Sequence, residues 1–185
     1  MSNGISAKMK SEDIVRTFLH IENVTVKAWF ATEAGLEYRY HLEITKVGAS
    51  TPPKTACVVM QNPSYAGENV ADKSVQFMEK NVFEMGLPEF TDVQRLIVVN
   101  QFARIQTKGF VGKPSDIGHQ NNRAIERALK EAEIIIIAWG SSNSYEDRKN
   151  FVLGLLRRMP GKQLYQTKMH PSRGRYTDFI QPFSI

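Results

Sequence analysis

Two asparagines and a histidine are the residues of this sequence best placed to do chemistry. Asn62 and Asn100 each stand at the end of a short apolar run, and His170 stands at the end of a more polar one. An asparagine amide donates and accepts hydrogen bonds but cannot take up a proton at neutral pH, whereas a histidine can exchange one. Ligands of open parallel sheets bind at the carboxyl ends of the strands, where loops and helix N-termini converge. If the runs are parallel strands, the three residues share one site.

Each of these residues also has a purely structural interpretation. The segment Asn62-Pro63-Ser64 has the composition of a turn between a strand and a helix. Asn100 could satisfy backbone groups at a strand end, and His170 could be a hydrogen-bonded core residue. Trp139, at the end of another apolar run, could belong to the core. The functional interpretation depends on all four occurring at the same edge of one predicted sheet.

The elements that must position these residues are short apolar strands that alternate with amphipathic helices, a pattern typical of βα units around a parallel sheet. Strands are predicted at residues 56–60, 96–100, 134–139 and 163–169, and helices at 72–85, 117–132 and 145–159. Residues 1–10 are predicted to be disordered, and residues 11–54 to form an N-terminal helix and a β-hairpin. The expected fold is a three-layer α/β domain, a four-stranded parallel sheet flanked by helices, with its core at residues 55–185.

Length and composition fit one globular domain. The chain has 185 residues, of which 42% are hydrophobic and 23% charged, close to ordinary averages. The lone cysteine, Cys57, cannot form an internal disulfide, and with four histidines it does not provide a structural zinc set. There is no glycine-rich phosphate loop to support an ATP-using enzyme, and we expect neither a metal nor a cofactor. Without a signal pattern or an apolar run of bilayer length, the expected location is the cytoplasm.

Positive charge is concentrated late in the sequence. Residues 148–175 contain eight of the 24 lysines and arginines and no acidic residue, which leaves 16 basic against 19 acidic residues elsewhere. Such a region favours a phosphate-bearing partner with salt-dependent binding, so DNA or a nucleotide is the expected partner. A solvated basic helix face explains the charge equally well.

Four motifs, in this order along the chain, resemble those of the uracil-DNA glycosylase superfamily. Residues 59–65, Val-Met-Gln-Asn-Pro-Ser-Tyr, resemble the strand that enters Gln-Asp-Pro-Tyr or Asn-Pro-Gly in that superfamily. Residues 96–100, Leu-Ile-Val-Val-Asn, resemble its strand that ends in the base-reading asparagine. Ala138-Trp139-Gly140-Ser141 and His170-Pro171-Ser172 complete the series. By the same marks the chain is identified as a member of a bacterial and phage family of unassigned function.

The resemblance implies an N-glycosidase that releases a base, which could be a modified pyrimidine, from DNA. Asn62 would orient the attacking water, and His170 would donate a hydrogen bond to the departing base. Asn100 would read the edge of a base extruded from the stack. The other residues expected to contact the base or nucleotide are Gln61, Ser64, Tyr65 and Ser172, and those expected to contact phosphate are Ser141, Arg173 and Arg175.

The sequence also departs from the superfamily at its first and last motifs. Asn62 replaces the carboxylate of the most active members, and an amide orients water without accepting its proton. Ser64 stands where a tyrosine excludes thymine, and Arg173 follows His-Pro-Ser in place of a proline and an apolar wedge. Two alternatives therefore stay open: a non-catalytic module that binds a nucleotide or nucleic acid in the same pocket, and an enzyme of nucleotide metabolism acting on free nucleotides.

Overall fold

The computed structural model of the chain describes residues 18–185. Most of the helix predicted to begin at Ser11 lies outside the described residues, as do residues 1–10. The first described contact is a bridge between Phe18 and Ala71. Within residues 18–185, no helix combines the length and the apolar character needed to cross a membrane.

One sheet of seven strands organises the described chain. The strands are β1 (Val24–Glu33), β2 (Leu36–Lys46), β3 (Thr55–Met60), β4 (Arg95–Asn100), β5 (Ile134–Ile137), β6 (Gln163–Thr167) and β7 (Ile180–Pro182). Their order across the sheet is β1-β2-β4-β3-β5-β6-β7. Strands β4, β3, β5 and β6 are mutually parallel, whereas β1, β2 and β7 pair antiparallel with their neighbours.

The prediction of a four-stranded parallel sheet is therefore wrong, although the α/β class is right. The hairpin of β1 and β2 was expected to precede the sheet, but β2 pairs with β4 and extends it, with Leu42 opposite Val98. Leu42 and Ile44 have no exposed surface, and they need the main core because a two-stranded hairpin cannot bury them alone. At the other edge, β7 adds a strand that the polar sequence after His170 did not indicate.

Within the described residues, three α-helices cover the two faces of the sheet. Helix α1 (Lys73–Phe83) packs on one face, and helices α2 (Asn121–Glu131) and α3 (Glu146–Arg157) pack on the other. The central strands β3 and β5 are buried on both faces, which explains their continuous apolar sequence. This layering brings the loops after β3, β5 and β6 to one edge, next to the start of α1.

A β-bulge changes which face the residues of β2 present. Trp29 of β1 is paired with His41, but the next residue, Phe30, is paired with Arg39, so Tyr40 is an extra residue in β2. Leu42 packs in the core under α1, whereas Tyr40 packs with Ala124 of α2 on the opposite face. Side chains of a regular strand two residues apart share a face. The bulge breaks that rule and directs Arg39 to the α1 face.

Candidate functional site

A cleft of about 500 Å³ opens at the carboxyl edge of the parallel strands. The loops after β3, β4, β5 and β6, the start of α1 and one residue of β2 form its walls. The residues that line the cleft include Arg39, Gln61, Asn62, Ser64, Tyr65, Asp72, Lys73, Gln106, Thr107, Trp139, Ser141, His170, Ser172 and Arg173. Eight of the ten residues predicted from the sequence are in that set; Asn100 and Arg175 are not.

His170 is held in one hydrogen-bonding state. Its Nδ1 accepts a hydrogen bond from the Ser172 backbone N–H at 3.2 Å and lies 3.0 Å from Ser172 Oγ. Burial lowers the pKa of His170 below its ordinary value of 6.5, so the ring is neutral at pH 7. Because Nδ1 is the acceptor, the proton of the neutral ring is on Nε2. His170 therefore offers an N–H donor to the cleft.

Two glycines allow the His170 loop to pack closely. Gly140 has φ of +89°, and a Cβ there would lie 2.9 Å from the His170 backbone nitrogen. Gly174 lies against Phe77 of α1, where a Cβ would come within 2.4 Å of the ring. A side chain at either position would push the loop away, so these glycines fix His170 against both β5 and α1.

The side-chain amide of Asn62 is hydrogen-bonded to nearby backbone carbonyl groups. Its Nδ2 donates to the carbonyl oxygens of Gln106 at 2.8 Å and Pro63 at 3.2 Å. Carbonyl oxygens only accept hydrogen bonds, which requires that the NH₂ end of the amide faces them. Oδ1 accepts a hydrogen bond from Gln61 Nε2 at 3.3 Å and keeps a second lone pair for another donor. Asn62 can thus orient a water but is not built to take its proton.

Buried amide side chains position Gln61, at the start of the loop that follows β3. Asn143 donates through Nδ2 to Gln101 Oε1 at 2.7 Å and to Gln61 Oε1 at 3.2 Å. The guanidinium of Arg148 donates from Nε to the Gln101 carbonyl at 2.8 Å and stacks over Phe151. This network lies behind the cleft and fixes the loop from below.

Asn100 is at the predicted edge but does not line the cleft. Its side chain is buried, and its Oδ1 accepts a hydrogen bond from Arg39 Nη2 at 3.1 Å. Its Nδ2 has no partner among the described residues. Arg39 lines the cleft and donates a hydrogen bond to the Asn100 oxygen. The Arg39 guanidinium therefore lines the cleft where Asn100 was expected to read a base.

Arg39 and Asp72 are cleft residues that the sequence interpretation missed. Asp72 caps α1 by accepting the Val75 N–H at 2.8 Å through Oδ1. No described residue bonds Oδ2, and Asp72 is the only acidic residue lining the cleft within residues 18–185. An acidic residue at the start of the first predicted helix was the available signal for Asp72; no local pattern marked Arg39.

The basic region 148–175 does not form one surface beside the cleft. Of its eight basic residues only Arg173 lines the cleft. Arg148 is buried, and Lys162 donates to the Lys130 and Ala132 carbonyls, at the opposite edge of the sheet. Arg175 is exposed outside the cleft. The local positive charge comes instead from distant parts of the sequence: Arg39, Lys73 and Arg173. Among the described residues, no group of three histidine, cysteine or acidic side chains could hold a metal ion.

Fold and site together define an α/β protein with a polar, cation-lined cleft at the carboxyl edge of a mixed sheet. The chain belongs to the family described as "Protein of unknown function (DUF1643)", whose model matches residues 39–173. Membership of a family of unassigned function, expected from the motifs, is confirmed at that level. The search among curated proteins gave no match. Among solved structures, the chain is similar to a mutant of the feruloyl esterase module from Clostridium thermocellum complexed with sinapinate, with 7% identity, 86% of this chain and 74% of that chain covered, and a TM-score of 0.32.

Proposed function

We propose that the cleft binds a nucleobase and hydrolyses its N-glycosidic bond, releasing a pyrimidine-type base from DNA. The observation that carries the proposal is the state of His170, a neutral ring that lines the cleft and whose Nδ1 is occupied by the Ser172 N–H, which leaves Nε2–H as its donor. Cleavage of an N-glycosidic bond leaves negative charge on the base. A preorganised neutral donor stabilises that charge more than it stabilises the ground state. The motif resemblance to the uracil-DNA glycosylase superfamily assigns the same role to this histidine.

The proposed step needs a group that takes the proton of the attacking water. Asn62 cannot do so, but Asp72 is a carboxylate lining the same cleft with Oδ2 free of protein partners in the described chain. The water oxygen forms the bond to the anomeric carbon, and its proton passes to Asp72. The electron pair of the broken C–N bond goes to the base, where the His170 Nε2–H stabilises it until solvent protonates it. Tyr65, half exposed at the cleft, is suited to stack on the base.

The test is base release from oligonucleotides that carry uracil, mismatched thymine, or hydroxymethyl and glycosylated pyrimidines, with abasic sites detected by strand cleavage in alkali. Free nucleotides form a separate arm, which distinguishes DNA from nucleotide substrates. His170→Ala should lower the rate by about 100- to 1000-fold. His119→Ala is the matched control, because that histidine is 88% exposed. Equal rates for wild type and His170→Ala would refute the mechanism.

A second candidate is a binding module that uses the same cleft without catalysis. The observation that favours it is Asn62, whose amide replaces the carboxylate of active glycosylases and is fixed on the Gln106 carbonyl. Replacing it with aspartate would set a carboxylate against two carbonyl oxygens, so that variant is a poor test. Under this candidate no substrate releases base, and His170→Ala changes only the affinity for the ligand.

A further inference from the structure

Arg39 is a buried cation without an anionic partner among the described residues. Its side chain is 1% exposed, and it donates from Nη1 to the Ala66 carbonyl at 2.9 Å and from Nη2 to Asn100 Oδ1 at 3.1 Å. A guanidinium has five N–H groups, so three remain after these two bonds. Its Nε is buried and unpartnered in the described chain. Neither acceptor carries a charge.

Burying an arginine in this way is costly unless an anion joins it. The loss of hydration of an ion in a protein interior amounts to several kcal/mol, and neutral acceptors recover only part of it. Burial lowers the pKa of Arg39 to about 10, so the side chain still carries its charge at neutral pH. The negative charge of Asp72 partly offsets this burial and raises the pKa of Arg39, but the two side chains form no ion pair. Because Asp72 also caps α1, it is not free to move to Arg39.

The fold directs this cation into the cleft. Arg39 is on an antiparallel strand, so the beginning of β2 lies at the edge where the parallel strands end. The extra residue Tyr40 then turns Arg39 to the face of α1, where it lines the cleft. Asn100 stands behind it with its oxygen occupied and its Nδ2 unpartnered within the described residues. This corner of the cleft consequently offers hydrogen-bond donors.

We propose that Arg39 binds an oxyanion, either a carboxylate or a phosphate, on the ligand of the cleft. The inference rests on the proposed function only in that the ligand carries a pyrimidine base. Lys73 and Arg173 line the same cleft and add positive charge, while Asp72 repels an anion from its own side. A base edge with an N–H donor, such as the N3–H of uracil, finds no acceptor at Arg39. An anionic substituent on the base, or the phosphate of its nucleotide, satisfies the unused N–H groups.

The test compares ligands that differ only in the anion, by isothermal titration calorimetry on the wild-type chain. Uracil is paired with uracil-5-carboxylate, and 2′-deoxyuridine with its 5′-monophosphate. A charge-assisted hydrogen bond to a buried guanidinium should make one anionic member bind about 10- to 100-fold more tightly than its neutral partner. The pair that shows the preference identifies the source of the oxyanion. Equal affinity within both pairs would overturn the inference.

Variants locate the preference on Arg39. Arg39→Gln should remove the preference, with folding checked by circular dichroism. Arg148→Gln is the matched control, because Arg148 is also buried, also has a pKa lowered by burial to about 10, and does not line the cleft. A preference that persists in folded Arg39→Gln, or disappears in Arg148→Gln alone, contradicts the assignment. If Arg39→Gln does not fold, the wild-type comparison still decides whether the cleft selects an oxyanion.

The two proposals fail in different ways. Base release from uncharged pyrimidines in DNA, with no preference for either anionic probe, would remove the oxyanion site and leave the glycosidase. A clear preference for an anionic probe, with no base release from any oligonucleotide or nucleotide, would remove the glycosidase and leave the oxyanion site.

Discussion

Replacing Asp72 with asparagine separates its capping of α1 from the catalytic role that we propose for it. The carboxylate caps α1 through Oδ1, which accepts the Val75 N–H; the residue lines the cleft, and its Oδ2 has no hydrogen-bond partner in the described chain. Asparagine caps helices as well as aspartate does, so the free energy of unfolding should change by less than about 0.5 kcal/mol. The amide cannot accept a proton, and base release should fall by about 100- to 10,000-fold.

The same substitution has an effect that can be measured without a substrate. The charge of Asp72 raises the pKa of His170 and opposes the lowering caused by burial. Removing that charge should lower the pKa of His170 further below 6.5. A titration of the His170 ring protons by NMR, with the resonance assigned by its absence in His170→Ala, measures the shift directly.

Asp72→Ala provides the control for the cap. It loses both the carboxylate and the hydrogen bond to Val75, and helix caps of this kind contribute about 1 kcal/mol. For a chain of this size, the melting temperature should fall by about 2–4 °C relative to Asp72→Asn. The reasoning is refuted if Asp72→Asn releases base at the wild-type rate, or if the pKa of His170 does not move.

Two further predictions concern stability around the cleft. Gly140→Ala should lower the free energy of unfolding by about 2 kcal/mol, because the positive φ and a Cβ 2.9 Å from the His170 nitrogen both oppose a side chain there. Urea denaturation measures this change, and a stability equal to that of the wild type would contradict the prediction. His20→Ala should lower the free energy of unfolding by about 3 kcal/mol at pH 6, since it leaves the fully buried Glu79 with only the Ile21 N–H as a partner. Lys130→Ala should cost much less, because its ion pair with Glu126 is exposed. Burial lowers the pKa of His20, but the hydrogen bond and charge of Glu79 outweigh it, so the pKa is raised above 6.5. Because the pKa of His20 is raised in the folded state, the stability that the His20–Glu79 pair contributes is complete below pH 6.5 and declines as pH rises through the folded pKa. A destabilisation by His20→Ala that grows with pH would therefore contradict this ion pair.

Much of the candidate site could be predicted because its residues follow strands in the sequence. The runs before Asn62 and His170 are strands of the parallel part of the sheet, and parallel strands deliver the residues that follow them to one edge. The placement of Trp139 follows from the same rule. These predictions needed only the local pattern of each run and the direction of the chain.

Arg39 could not be found in the same way. Its position depends on β2 pairing antiparallel with β4, and its direction depends on one unpaired residue, Tyr40. Neither the choice of strand partner nor a bulge is marked by local composition, because both are decided by packing against residues far away in sequence. The basic region 148–175 shows the converse: eight basic residues that are close in sequence are spread by the fold over a buried site, two edges and the surface.

The hydrogen bond between Arg39 and Asn100 argues against giving this cleft the base preference of uracil-specific enzymes. An asparagine that reads a base needs both its oxygen and its NH₂ group free, because uracil offers a donor beside an acceptor. Here the oxygen is bound to Arg39, so one half of that readout is occupied before any ligand arrives. A guanidinium can replace the NH₂ group as a donor but can never replace the oxygen as an acceptor. Under the proposed function, the part of a base that reaches Arg39 would therefore have to accept hydrogen bonds, and a ligand with its own negative charge there would gain most.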